Sequence, residues 1–162
     1  MEYMVLYINS CVREKSRTDR LAKILLKKLG EYDELKLDEL NLRALGKESL
    51  EYRTRLIENK NYEDAIFGYA KQFADAKTIV ISAPYWDGSF PAILKIYLEN
   101  IYVTGIVSKY GPDGRPEGLC KAEKLYYVTT AGGPYNPKYS YEYNVNNLVV
   151  VRHQCEYMAM HQ

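Results

Sequence analysis

The chain has 162 residues with 22 Lys+Arg against 21 Asp+Glu, so its formal net charge of +1 gives no reason to expect a polyelectrolyte such as nucleic acid as partner. At roughly 100–200 residues per domain, one domain over residues 1–162 is expected, and a hydrophobic content of 47% supplies a core and excludes disorder as the main state. No apolar run approaches the roughly 20 residues of a membrane span. The start MEYMVLYINS has no cationic flank, long apolar stretch or cleavage site, and the reading is cytoplasmic. Cys11, Cys120 and Cys155 form an odd, sparse set, fitting free thiols in a reducing compartment. The composition is most unusual in its 17 Tyr, rings able to line a wet pocket for a planar ligand.

Tyr3–Ile8 (YMVLYI) is a near-continuous apolar run of the kind a doubly buried strand requires, and it stops at Asn9-Ser10. Leu21, Ile24, Leu25 and Leu29 then fall at helical spacing, with Ser16 or Thr18 as candidate caps and Gly30 as the stop. Tyr32–Leu37 reads as an edge strand, Leu40–Tyr62 as an interior loop, and the segment around Tyr62–Asp75 as a second helix. Thr78–Ser82 (TIVIS) is the next buried strand, closed by Ala83-Pro84, and Pro91–Ile101 has helical apolar spacing. After a second loop, Gly105–Glu123, the segment Leu125–Thr130 (LYYVTT) reads as a strand ending at Gly132-Gly133-Pro134. A helix is expected at about Lys138–Leu148 and a last strand at Cys155–Met160. Alternating strands and helices imply an α/β fold with a parallel sheet, whose ligand crevice lies at the carboxyl ends of the strands.

Three loops lie at those ends. In Asn9–Thr18 a strand gives way to a helix N-terminus, where amides, Ser16 and Thr18 hydroxyls, Arg13 and Arg17 suit a phosphate monoester; the competing reading is a helix cap beside two solvated arginines. Neither G-x-G-x-x-G nor G-x-x-x-x-G-K-[ST] occurs there, which disfavours a Rossmann dehydrogenase and a P-loop nucleotidase. Ala83–Pro91 places Trp86 among other rings between two prolines, suited to a flat aromatic ligand or, equally, to capping the core. Thr129–Tyr135 contains Gly132-Gly133, which allows close backbone approach to a ligand but is also a common turn.

These motifs together resemble the flavodoxin-like NAD(P)H-dependent FMN oxidoreductases, the group of FMN-dependent quinone reductases and azoreductases. N-S-C-V-R-E-K-S-R-T resembles the family's phosphate loop, with Cys11 where a serine is usual. S-A-P-Y-W-D-G-S-F-P-A-I-L-K resembles the stretch that holds the flavin ring. K-Y-G-P-D-G-R-P-E-G-L and L-Y-Y-V-T-T-A-G-G-P-Y resemble a hairpin-like insertion and the glycine loop beside the flavin's pyrimidine edge. The likeness runs from about Met4 to about Tyr143.

The resemblance implies a doubly wound, five-stranded parallel sheet of order 2-1-3-4-5, and a ping-pong hydride relay from NADH or NADPH through FMN to a quinone, azo compound or similar acceptor. It implies FMN binding by Ser10, Cys11, Arg13, Ser16, Arg17 and Thr18 at the phosphate, by Pro84, Tyr85, Trp86, Asp87 and Gly88 at the ring, and by Thr130, Ala131, Gly132 and Gly133 at its polar edge. It also implies a homodimer, and no side chain is needed as nucleophile or metal ligand. His153 and His161 are too few to suggest a metal site.

Three features depart from the pattern. Asp87 stands where family members often carry a neutral group, and a carboxylate there would disfavour negative charge on a reduced ring. The chain stops at Gln162, where family members usually continue into a terminal helix, so a shortened C-terminus with one open sheet face is expected. Val145–His153 (VNNLVVVRH) is β-prone where a helix is usual. Two rival functions follow from the same residues. Cys11 to Thr18 satisfies C-x-x-x-x-x-R-[ST], the loop of cysteine phosphatases, with Cys11 as thiolate and Arg17 as phosphoryl clamp; Glu14 and the absence of an Asp-Pro pair oppose it. A non-enzymatic flavodoxin-type electron carrier is opposed by the charge balance and by the lack of a T-x-T-G-x-T loop.

Overall fold

The apolar run at the start forms β1, Val5–Asn9, and in the computed structural model, which describes residues 5–132, all five of its residues are buried. Successive side chains point to opposite faces of a strand. Leu6 and Ile8 join a core with Ile79, Ile81, Phe73, Leu94 and Leu98, whereas Val5 and Tyr7 join Val80, Ala22 and Leu26 on the other face. Covering both faces is what demands a continuous apolar run rather than alternation.

Helix α1, Arg17–Leu29, follows β1, with Ser16 as N-cap accepting from the Asp19 amide and Gly30 at φ 102 ending it. Of the two candidate caps it is therefore Ser16 that caps, while Thr18 is buried inside the first turn. β2, Asp33–Lys36, is an edge strand; α2 spans Lys47–Glu58, α3 Gly68–Asp75, β3 Thr78–Ser82 and α4 Ala92–Ile101. A hairpin of β4, Ser108–Tyr110, and β5, Pro116–Gly118, precedes β6, Lys124–Val128.

The main sheet has the order β2-β1-β3-β6, all pairs parallel. With β6 in fourth place, this is the expected 2-1-3-4 part of the sheet. The expected helix at Lys138–Leu148, the β-prone segment Val145–His153 and the fifth strand at Cys155–Met160 lie outside the described residues.

Two segments read as loops carry structure. Leu40–Tyr62 contains α2, which has no fully buried residue and so shows little of the apolar stripe that marks a helix in sequence. Leu56 and Ile57 pack half-buried against the core, and a cation adds a polar anchor. The Arg53 guanidinium donates to the backbone oxygens of Glu99, at 2.8 Å, and Tyr102, at 2.7 Å, where α4 ends and carbonyls lack helical partners. Gly105–Glu123 contains the β4–β5 hairpin, entered through Gly105 at φ +94, where an added Cβ would strike the Tyr62 ring. The helix expected over Tyr62–Asp75 begins later, because Asp64 caps a short 3₁₀ turn, Ala65–Phe67, ahead of α3.

Arg53→Met should keep the aliphatic packing but leave those carbonyls without their donor, lowering stability by about 1–3 kcal/mol in urea unfolding. Burial pushes the Cys120 thiol up to about 12 and the Tyr127 hydroxyl likewise to about 12. Each is neutral in the fold, so its contribution is intact below the ordinary thiol value of 9.0 and phenol value of 10.0 and is lost as pH rises through 12. Alkaline unfolding of Cys120→Ala should accordingly show a shallower decline in that window than the parent chain.

Candidate functional site

β1, β3 and β6 are adjacent and in register, with Asn9 beside Ser82 and Ser82 beside Val128, so the loops that follow them leave the sheet at one level. Their hydrogen bonds tie them together. Ser10 donates its amide to the Ser82 oxygen at 3.0 Å and its hydroxyl to the same atom at 2.7 Å. Ala83 donates to the Val128 oxygen at 2.9 Å, and Tyr85 to the Thr130 oxygen at 3.0 Å.

A pocket of about 250 Å³ opens between the loops. The first loop lines it with Cys11, Val12, Arg13, Lys15, Ser16, Arg17 and Thr18, the second with Pro84, Tyr85 and Trp86, the third with Thr130, Ala131 and Gly132. Arg13, Lys15 and Arg17 are exposed at its rim, and no carboxylate is among the described residues that line it. The N-terminus of α1 reinforces that sign. Helix geometry leaves the Arg17 and Thr18 amides without intrahelical acceptors, while the Asp19 amide is taken by Ser16 Oγ at 3.3 Å. Cations, a helix N-terminus and two hydroxyl residues on one side, with Tyr85 and Trp86 on another, make a pocket that can hold an anion and a flat ring together.

Two side chains link the first loop to the third. Arg17 Nη2 donates to the Ala131 oxygen at 3.3 Å, and the Thr18 and Thr130 hydroxyls lie 2.7 Å apart. One hydroxyl proton occupies that bond, and the second is not used by it.

Among the residues singled out in the sequence, Ser10 is turned inward onto β3 and does not line the pocket. Asp87 and Gly88, at φ 48 and φ 79, form the tip of a two-residue turn closed by reciprocal 2.8 Å bonds between Trp86 and Ser89, and do not line it either. Gly133 lies outside the described residues. Lys15 and Val12 line the pocket without having been singled out. A polar cluster that the sequence pattern does not mark out lies behind the loop, built from Tyr7, Asn9, Asp19, Glu34 and Ser82. Its one signal was polar residues placed in and beside strands that are otherwise apolar.

Cys11 is buried, with Sγ 3.4 Å from Ser82 Oγ. Burial pushes its thiol above the ordinary value, against hydrogen bonds from Ser16 and Ser82 that lower it. A phosphatase nucleophile needs the opposite shift.

A family model for proteins of flavodoxin-like fold matches residues 4–162. The chain belongs to this flavodoxin-like family. It is 36% identical over 140 residues to FMN-dependent NADH:quinone oxidoreductase 2 of Clostridium acetobutylicum, a match spanning 82% of this chain and 69% of that one. It is 38% identical over 141 residues to the FMN-dependent NADH:quinone oxidoreductase of Coprothermobacter proteolyticus, spanning 81% of this chain and 69% of that one. Among solved structures, an azoreductase from Bacillus anthracis superposes with a TM-score of 0.76 at 23% identity, over 96% of this chain and 82% of that one. An FMN-dependent NADH-azoreductase of the same species, in complex with FMN, gives 0.69 at 19% identity, over 92% and 79%. At such identities these two share the flavodoxin-like fold.

Because the neutral thiol is favoured, Cys11 should be alkylated by iodoacetamide at least about tenfold more slowly than a free cysteine at about pH 8. Site-resolved mass spectrometry of a time course measures this, and a rate above the free-cysteine rate would restore the nucleophile reading.

Proposed function

We propose that this chain is an FMN-dependent oxidoreductase that takes electrons from NADH and delivers them to a quinone, azo compound or similar acceptor. The observation that carries the reading is the composition of one pocket, with an α1 N-terminus and three rim cations beside two aromatic residues and no described carboxylate. The named activity of relatives at 36% and 38% identity supports it over the phosphatase and the electron carrier.

FMN, when bound, supplies the hydride chemistry, and the protein supplies orientation and electrostatics. Ser16, Arg17 and Thr18 would hold its phosphate through the free first-turn amides and the spare hydroxyl proton, with Arg13 and Lys15 balancing its charge. Pro84, Tyr85 and Trp86 would pack the ring, and Thr130 to Gly132 would approach its polar edge. Cys11 forms part of the neutral floor, and Ser10 anchors the loop from behind. Asp87 acts from the turn beside Trp86, exposed to water that screens its charge. No side chain in this scheme serves as nucleophile or metal ligand.

The reading extends to one domain over residues 1–162, a cytoplasmic location and a homodimer, since closed C₂ pairs are the commonest oligomers. Among the described residues no helix is long and apolar enough to cross a membrane.

The test is a visible spectrum of the protein after FMN loading and desalting, followed by anaerobic NADH. Retained yellow colour that bleaches within seconds is the expected outcome, and a colourless protein that regains no flavin would remove the reading.

A further inference from the structure

Asn9 ends β1 with its side chain behind the anion-binding loop, 2% exposed. Nδ2 donates to Asp19 Oδ1 at 3.0 Å and to Glu34 Oε1 at 2.8 Å. Oδ1 accepts from the Cys11 amide at 3.0 Å and from Ser82 Oγ at 3.2 Å. A carboxamide has two N–H donors and two acceptor lone pairs, so these four contacts match its capacity, the single Ser82 proton being divided between Asn9 Oδ1 and the Tyr7 oxygen. They come from α1, β2, the loop and β3. The cluster is closed by Tyr7, whose hydroxyl donates to Asp19 Oδ1 at 2.8 Å and lies 2.8 Å from Ser82 Oγ.

We infer that Asn9 is a positioning residue for the phosphate end of the pocket, fixing where the loop leaves β1 and where the first turn of α1 sits relative to it. The Cys11 bond turns the loop's second peptide inward, and the Asp19 bond holds the third residue of the helix whose first two residues, Arg17 and Thr18, line the pocket and have amides without intrahelical acceptors. The role requires a carboxamide. A carboxylate could still accept from Cys11, but it would face Asp19 from α1 and Glu34 from β2 with no proton to offer either. The other titratable groups around this cluster are Tyr7 from β1, Cys11 from the loop, Lys23, whose Nζ lies 2.9 Å from Asp19, Tyr32, whose ring packs edge-on against Tyr7, and Lys36 from β2, whose charge interacts with Glu34. The inference rests on the pocket being the FMN phosphate site, and its test separates the two.

The variant is Asn9→Asp, nearly isosteric, with FMN affinity measured by fluorescence quenching beside the parent chain. At about pH 8 binding should weaken about tenfold or more, because the new carboxylate repels its neighbours. At about pH 5.5 the ratio of variant to parent should close to within about threefold, because two carboxylates raise the new group's pKa and its proton restores a donor. Taking the ratio cancels the titration of the FMN phosphate itself. Asn9→Asp combined with Glu34→Gln returns an N–H donor to the cluster and should recover most of the affinity at about pH 8. A role confined to packing produces neither the pH dependence nor the rescue, so a flat ratio, or parent-like binding by a variant that merely melts lower, overturns the inference. Thermal shifts with inorganic phosphate are read on the same proteins. If the parent retains no FMN yet phosphate stabilises it and not Asn9→Asp at about pH 8, the flavin reading falls and the positioning role stands. Equal stabilisation of both by phosphate overturns the positioning role.

Discussion

The register of three parallel strands is the constraint on which the rest of this molecule depends. Asn9 sits beside Ser82 and Ser82 beside Val128, so β1, β3 and β6 end together and their loops begin within hydrogen-bonding reach. A slip of one residue would exchange the faces of every strand side chain. Leu6, Ile8, Ile79 and Ile81 would leave the core they share with α3 and α4, and Tyr7 would leave the one it shares with α1. Because both faces are close-packed by side chains of particular size, packing complementarity fixes the register, and the register fixes the pocket. The site is thus a consequence of core packing one step removed.

Around the first loop the cations line the pocket and the acids do not, exposed Glu14 facing a neighbouring groove instead. Arg13, Lys15 and Arg17 stand at the exposed rim, whereas Asp19 and Glu34 lie behind the loop, bound by donors from Asn9, and in the case of Asp19 also from Tyr7 and Lys23. Paired in this way the carboxylates are satisfied where they are and do not line the pocket. The positive lining of the pocket therefore depends on where the acidic residues are kept as much as on the cations. Net charge alone, at +1, conceals this arrangement.

Much of the architecture was legible because it follows from periodicity. β3 appears with the boundaries its apolar run predicts, Thr78–Ser82, and α1 ends at the glycine that stops its pattern. α2 was not legible because it buries nothing fully: Leu56 and Ile57 pack only partly on the core, and the Arg53 guanidinium ties the helix to the end of α4, a long-range contact with no local signature. Its local signals were weak ones, a run of good helix formers over Lys47–Glu58 and Ser49 reaching back to the Gly46 amide. For the site, the three loops could be named from their place after buried strands. Which side chains face inward could not, since Ser10 and Thr18 are both hydroxyl residues in the stretch that joins β1 to α1, yet one pins the backbone to β3 and the other lines the pocket.

Asp87 shows how one residue can carry two explanations of different kind. By family resemblance its charge is the anomaly, a carboxylate near a ring that is usually left with a neutral neighbour. By backbone geometry its identity is ordinary. Both central residues of the Trp86–Ser89 turn have positive φ, the type I′ arrangement that matches strand twist and admits Asp-Gly or Asn-Gly at little cost. That turn doubles the chain back between Tyr85 and Phe90 and holds Trp86 against the pocket while Asp87 projects into water. The backbone restricts the position to a short list of residues, and within that list Asp and Asn differ mainly in charge. Any influence of Asp87 on the pocket is then a field acting through solvent, which separates its conformational role in shaping the loop from its electrostatic one.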